Sequence, residues 1–389
     1  MKIAFVSNYF NHHQKPFCDE MYHRLGMDFV FIATSVMSEE RKKLGYEEIK
    51  NPEYVYRAYE GKWQYKKAIS MINEADVVIA GANPNEMLEE RIRKEKLLFR
   101  YSERPFKINP SLIKRVYHSI VFRKKNLYKK NIYMLCASAY VAKDFISLGM
   151  YKEHTYKWGY FPEVIEYDID DLLSKKKTNT ILWCGRFIDW KHPDDAIKLA
   201  EKLKMNGYDF HLNIVGTGCM EDELKKQVEE KKLYNSVHFL GSMPPDKVRS
   251  YMEAAGIYIF TSDRQEGWGA VLNEAMNSGC TVIAAHEIGS VPFLIRNGEN
   301  GVVYESGNID ILYKKVKNFL DNPDKQIVIG KAAYQTMVNE WNAKLAADRF
   351  LQILKEIQLG TPQPVLFESG PCSKADVLKE NWFKEKYDG

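Results

Sequence analysis

The stretch IYIFTSDRQEGWGAVLNEAMNSGCTVIAA, Ile257–Ala285, holds one complete step of an α/β fold. IYIFTS is a short apolar run suited to a strand buried on both faces, DRQEGWG is a polar loop with two glycines, AVLNEAMN has helical spacing, and TVIAA opens the next strand. Gly279, just past the helical run, suits a left-handed cap. This order places Glu266 at the carboxyl edge of a sheet and Glu274 one to two turns into the helix, where both can face one cleft. Gly267 and Gly269 let the backbone come close to a ligand, and the amides at the helix start suit negative charge. A carboxylate beside such an anion site repels phosphate and is better matched to hydroxyls, as on a sugar or ribose. The eight-residue spacing is uninformative alone, because Glu39/Glu47, Glu40/Glu48, Glu95/Glu103 and Glu221/Glu229 repeat it. From spacing, a helix-capping Glu266 and an exposed Glu274 stay open.

Working outward, similar runs recur: KIAFVS at Lys2, DFVFIA at Asp28, DVVIAG at Asp76, KLLFRY at Lys96 and IYMLCA at Ile132. A second series contains TILWCG at Thr180, FHLNIVG at Phe210 and VHFLG at Val237, then the opening stretch. Two βα series predict two doubly wound Rossmann-like α/β domains facing each other across a cleft, with ligands at the carboxyl ends of the strands. Residues 168–179, DIDDLLSKKKTN, are charged and lack a strand pattern, so they are the expected linker between domains at 1–167 and 180–340. Residues 341–389 begin with a helical pattern through Trp341, Leu345, Phe350, Leu351 and Leu354. That helix packs on its own domain or crosses back to the first, the latter being the expectation. The tail from Thr361 is expected to be loosely attached up to a short final helix.

At 389 residues, 45% hydrophobic and 28% charged, the composition is that of a globular protein of about two domains. No segment approaches the ~20 apolar residues of a membrane span, and the start MKIAFVSNYFN lacks a signal-peptide core, so a cytoplasmic location is expected. The six cysteines, at 18, 136, 184, 219, 280 and 372, form no CxxC pair and suit reduced, packed thiols rather than a metal site. Net charge is only +4, yet ten bases and no acid lie between Glu103 and Asp144: Arg104, Lys107, Lys114, Arg115, Arg123, Lys124, Lys125, Lys129, Lys130 and Lys143. With Val116, Ile120, Val121, Phe122 and Leu127 interleaved, this stretch reads as a solvated face or as a surface for anionic lipids at the inner membrane face. Nucleic acid is not expected, since no binding module accompanies the bases.

The segment Thr261–Val303 strongly resembles the signature of the retaining glycosyltransferases of family four, of GT-B fold and bacterial polysaccharide type. The resemblance implies that Glu266 contacts the donor sugar, that Glu274 holds ribose hydroxyls, and that the amides of Gly267, Trp268, Gly269, Ala270 and Val271 meet sugar and phosphate. ILWCGRFIDWK, from Ile181, is similar to the family's strand, Gly-Arg turn and lysine, here Gly185, Arg186 and Lys191. Two cations beyond a strand end can neutralise a diphosphate, the arginine as a planar fork and the lysine as a point charge. On that reading no metal is required. NIVGTGCMEDEL adds Gly216 and Gly218 as a loop approaching the nucleotide, although a lone GxG is a weak motif.

The first half departs from the family: SNYFNHHQKP after the first strand has no glycine, and FRYSERPFK offers Ser102 and Glu103 where a histidine is common. His12, His13, Glu103 and His118 therefore receive no assigned role. The expected function is a retaining, metal-independent transferase moving a sugar from a nucleotide diphosphate donor to a hydroxyl acceptor, such as a lipid-linked saccharide in surface polysaccharide assembly. Arg186, Lys191 and Glu266 would carry catalysis, and no cofactor is expected beyond the donor substrate. A non-catalytic sugar-nucleotide-binding protein and a nicotinamide oxidoreductase are the alternatives, the second wanting a full GxGxxG that is not found.

Overall fold

The computed structural model describes residues 1–37, 49, 52–107, 116–117, 119–122, 131–379 and 381–384. The chain divides into two compact units, Met1–Glu163 with Asn342–Leu378, and Val164–Trp341 with Lys379–Gly389.

The first unit contains strands β1 (Ile3–Ser7), β2 (Phe29–Ala33), β3 (Val55–Arg57), β4 (Val77–Ala80), β5 (Leu98–Ser102), β6 (Ile132–Cys136) and β7 (Thr155–Lys157). They form one parallel sheet in the order β3-β2-β1-β4-β5-β6-β7. Strands β1, β4 and β6 are buried at every position, as sheets covered on both faces require. Helices α1 (Lys15–Leu25), α2 (Lys62–Glu74), α3 (Glu89–Arg93) and α4 (Val141–Ile146) follow β1, β3, β4 and β6. α1 turns Phe17, Cys18 and Met21 inward, and the Phe17 ring meets Phe5 of β1 edge-on at 6.3 Å.

The second unit carries β8 (Lys177–Cys184), β9 (His211–Val215), β10 (Val237–Gly241), β11 (Ala255–Phe260), β12 (Thr281–Ala285) and β13 (Val302–Tyr304), parallel in the order β10-β9-β8-β11-β12-β13. Its helices are α5 (Ile169–Ser174), α6 (Pro193–Met205), α7 (Glu221–Glu230), α8 (Pro245–Ala254), α9 (Val271–Asn277), α10 (Val291–Leu294), α11 (Ile309–Asp321) and α12 (Pro323–Asn339). α6 shows why such segments are helical: Pro193 fits its first position, Asp194 and Asp195 lie in its first turn, and Lys202 and Lys204 in its last, matching the helix dipole. The expected linker at 168–179 is not one. Asp168 caps α5 by accepting from the Asp171 amide, and Lys177–Asn179 already belong to β8, while the division between units falls at Glu163/Val164. The charge there decorates a surface helix and an exposed strand start.

Residues 342–378 return to the first unit. Helix α13 (Ala343–Gln358) opens on Asn342, whose side chain accepts from the Leu345 amide at 2.8 Å. Its Phe350 is fully buried against Phe17, Phe99 and Trp158, with ring centroids 6.4, 5.0 and 5.8 Å away, and Arg24 of α1 donates to Asp348 at 2.8 Å. Burying that ring alone is worth about 1.5–3 kcal/mol. The tail is not loose. Cys372, Ser373 and Ala375 exchange backbone hydrogen bonds with Thr155 and Lys157 along β7, and the Tyr156 hydroxyl donates to the Pro364 carbonyl at 3.0 Å. The outer edge of β7 is thereby covered. Residues 381–384 form a turn rather than the expected helix, and 385–389 lie outside the described residues.

Most of the basic stretch, including Lys114, Arg115, His118, Arg123, Lys124, Lys125, Lys129 and Lys130, lies outside the described residues. Arg104 is not a solvated base: it is buried, pairs with Asp144 at 3.5 Å and lies over the Tyr140 ring. Lys107 pairs with Glu103 at 3.5 Å. Among the described residues, no helix is long and apolar enough to cross a membrane.

Candidate functional site

The second sheet reverses its winding between β8 and β11. From β8 the chain proceeds outward to β9 and β10, and from β11 outward to β12 and β13 on the other side. The connections leaving the carboxyl ends of β8 and β11 diverge, which is where doubly wound sheets leave room for a ligand. Residues 185–192 follow β8 and residues 261–270 follow β11, so Arg186, Lys191 and Glu266 all belong to this switch point.

Lys191 and Glu266 meet there. The Lys191 ammonium donates to Oε2 of Glu266, and the two side chains are only 13% and 11% exposed. The Ser262 hydroxyl donates to the same oxygen at 3.1 Å. A buried carboxylate is costly unless paired and hydrogen-bonded, and Glu266 has both kinds of partner. The Lys191 ammonium also lies over the rings of Trp190 and Phe260, 4.7 and 5.6 Å from their centroids. Arg186 is exposed, with its guanidinium 5.7 Å from the Trp190 centroid. Sequence reasoning treated the lysine and the glutamate as separate contacts to different parts of a donor, whereas they are partners of one another. Ser262 and Trp190 were missed because neither belongs to a spacing pattern.

The loops around the pair are pinned by backbone bonds. Asp263 N–H donates to the Trp190 carbonyl at 3.0 Å, and Gly289 and Ser290 donate to the carbonyls of Glu266 and Trp268 at 3.3 and 3.2 Å. Gly269 has φ +85°, and a Cβ there would come 2.6 Å from the Phe260 ring and 3.2 Å from Glu266 Cγ, so only glycine lets the turn close over the glutamate. Gly216 and Gly218 answer to a different need. A Cβ on Gly216 would sit 1.9 Å from the Gly185 carbonyl oxygen, and one on Gly218 would sit 2.4 Å from that of Phe187. The GxG therefore lets the loop after β9 lie directly on the Gly185–Phe187 turn, where Phe187 N–H donates to the Thr217 carbonyl at 2.9 Å.

Glu274 stands in the first turn of α9 and is half-buried. Burial pushes its carboxyl above the ordinary range, and Arg249 of α8 opposes the shift. A half-buried carboxylate is suited to accept from hydroxyls rather than to meet a phosphate. The Trp268 ring is fully buried, donates to Asn273 Oδ1 at 2.9 Å, and stacks on Trp341 at 5.5 Å. Its side chain is core. Ala270 and Val271 mark the cap and first residue of α9, seven residues long.

In the first unit, three residues left without a role gather near the carboxyl edge. The His13 ring stacks on Tyr160 at 5.4 Å, the Tyr160 hydroxyl donates to Glu103 at 2.6 Å, and His12 and His13 have ring centroids 3.8 Å apart. Tyr160 gave no sequence signal, being one aromatic in an irregular segment.

Comparison with known proteins bears on this arrangement. The family described as "Glycosyl transferases group 1" matches residues 164–336. An uncharacterized glycosyltransferase of Haemophilus influenzae is 31% identical over 152 residues, 39% of this chain and 42% of that protein. The amylovoran biosynthesis glycosyltransferase AmsK of Erwinia amylovora is 24% identical over 59% of this chain and 58% of its own length. The chain thus spans about half the length of the curated relatives it matches. Among solved structures, Anabaena Alr3699/HepE in complex with UDP shares the fold with a TM-score of 0.68 at 17% identity, over 92% of this chain and all of that one. Both sheets therefore belong to the Rossmann-like units of a GT-B fold, and the unit that holds the paired Lys191 and Glu266 is the one similar to the glycosyl transferases group 1 family, over residues 164–336.

Proposed function

We propose that this chain is a retaining glycosyltransferase that moves a sugar from a nucleoside diphosphate donor to a hydroxyl acceptor. The observation that carries the reading is the Lys191–Glu266 pair at the switch point of the second sheet, with Arg186 beside it on Trp190 and Glu274 in the first turn of α9. When the bond from sugar to phosphate breaks, negative charge grows on the departing diphosphate. Arg186 and Lys191 are placed on one loop to meet that charge, and cations fixed in advance act most where charge develops in the transition state. Glu266, retained by Ser262, then accepts from hydroxyls of the donor sugar, and Glu274 accepts from the ribose. The amides of Gly267 to Val271 border the same space. On this reading the leaving group is stabilised without a metal.

UDP is the first nucleotide to test, because HepE was solved with UDP and with UDP-glucose. The acceptor side belongs to the proposal as well: a saccharide or lipid-linked saccharide of a surface polysaccharide, in keeping with the amylovoran relative. Approach to an anionic membrane face through 104–143 remains part of that reading. The experiment is thermal unfolding with UDP, GDP, ADP or dTDP, with and without a chelator, and with NAD as control. A ligand at 100 times its dissociation constant adds about 2.7 kcal/mol. Stabilisation by one nucleoside diphosphate, undiminished by chelator, is expected; stabilisation by NAD alone would overturn the assignment.

A further inference from the structure

We infer that Thr261 is a positioning residue for Lys191, holding the loop that presents its ammonium; the inference rests on the glycosyltransferase reading above. Thr261 is the first residue after β11 and is fully buried. Its hydroxyl donates toward the carbonyls of Lys191 and His192, at 2.7 and 2.9 Å, and accepts the indole N–H of Trp183 on β8 at 2.8 Å. A hydroxyl has one proton and two lone pairs, so the two carbonyls share the proton and the indole takes a lone pair. This one hydroxyl thus ties the ends of β8 and β11 to the loop that follows β8.

That loop needs holding. His192 has φ 49° and ψ 55°, a left-handed backbone unusual for a residue with a Cβ, and it leads straight into Pro193 of α6. Such a conformation is unfavourable for a residue with a side chain and persists only where surroundings enforce it. Thr261 grips the two carbonyls on either side of the turn, and Asp263 N–H grips the Trp190 carbonyl just before it. The next residue, Ser262, donates to Glu266. Consecutive residues of one strand end therefore fix both members of the ion pair: 261 fixes the lysine's backbone, and 262 the glutamate's oxygen. With the hydroxyl removed, the turn can relax toward ordinary angles and the ammonium moves away from where a diphosphate would lie.

A purely structural role and a positioning role give different results. The variants are Thr261→Val, which keeps the shape and removes the hydroxyl, and Thr261→Ser, which restores it. Affinity is measured calorimetrically for the nucleoside diphosphate that the wild type binds among UDP, GDP, ADP and dTDP, and for the matching nucleoside. Thr261→Val should weaken the diphosphate by about tenfold, the scale of one charge-assisted hydrogen bond, and leave the nucleoside within about twofold. Thr261→Ser should bind both like the wild type. If Thr261→Val does not fold, Trp183→Phe, which removes the indole donor together with part of the buried ring, should show the same selective loss at about threefold. An unchanged ratio of diphosphate to nucleoside affinity in the folded variants overturns the inference while the wild-type binding keeps the enzyme reading intact. Absence of any diphosphate binding by the wild type overturns both.

Discussion

Replacing Lys191 by methionine would isolate what the buried pair contributes. Methionine keeps an unbranched stem and removes the ammonium that lies over the Trp190 and Phe260 rings, its charge and its hydrogen bond together. Glu266 is then left with the Ser262 hydroxyl at 3.1 Å as its remaining described partner. Breaking a buried ion pair by removing one member costs roughly 3–5 kcal/mol. Here the side chains keep 13% and 11% exposure and one hydrogen bond survives, which brings the expected cost to about 2–3 kcal/mol. For a unit of this size that is a fall of roughly 5–10 °C in its calorimetric transition. Glu266→Gln, which removes the other charge and can still accept from Ser262, should cost about 1–2 kcal/mol. The double variant leaves no charge buried, so its cost should be below the sum of the singles by about 1–2 kcal/mol. If the double variant equals the sum to within about 0.5 kcal/mol, the two groups are neighbours without energetic coupling and the pair cannot carry the argument built on it.

Gly218→Ala would place a Cβ 2.4 Å from the Phe187 carbonyl oxygen, so the two loops must part; a loss of about 1–3 kcal/mol and weaker nucleotide stabilisation are expected in thermal unfolding. Glu274→Gln should raise the melting temperature of the ligand-free protein at pH 7 and weaken nucleotide binding. Because burial raises the Glu274 carboxyl, its ionisation opposes folding as pH rises above the ordinary carboxyl range, so the gain should fade toward pH 4; a gain equal at both pH values refutes that origin. Ending the chain after Gly360 would uncover the edge of β7 and remove the acceptor of the Tyr156 hydroxyl; light scattering on warming should then rise well before that of the full chain, and unchanged scattering would show the edge needs no cover.

The strands most legible in the sequence were those buried on both faces, where every position must be apolar. IAFVS of β1 and TVIAA of β12 are of this kind. β3, β7 and β13 went unread because each has three residues, too few for any pattern, and each lies at the border of its sheet. Charge misled at 168–179, since a surface helix and the exposed start of a strand are as polar as a linker. At the site, residue types at Gly185, Arg186, Lys191, Glu266 and Glu274 could be selected from the chain, but their partners could not. Lys191 and Glu266 are 75 residues apart, and only the winding of the sheet brings their strand ends together. Trp268 shows the opposite limit, because a ring two residues from the candidate glutamate Glu266 turned into the core and nothing in its neighbours' identities foretold the direction.

The first unit is built from both ends of the chain, with Phe350 of α13 sealing the core around Phe17, Phe99 and Trp158. On a ribosome, domains ordinarily fold in the order in which they emerge. Here residues 1–163 leave the tunnel first yet lack their last core helix until 342–378 follow, after the whole of 164–341 has been made. The second unit is therefore the one able to complete itself first, and the earlier-made unit waits with an apolar face open for the time needed to synthesise it. At about 5–20 residues per second that interval is on the order of 10–40 s, long enough for a nascent-chain chaperone to find it.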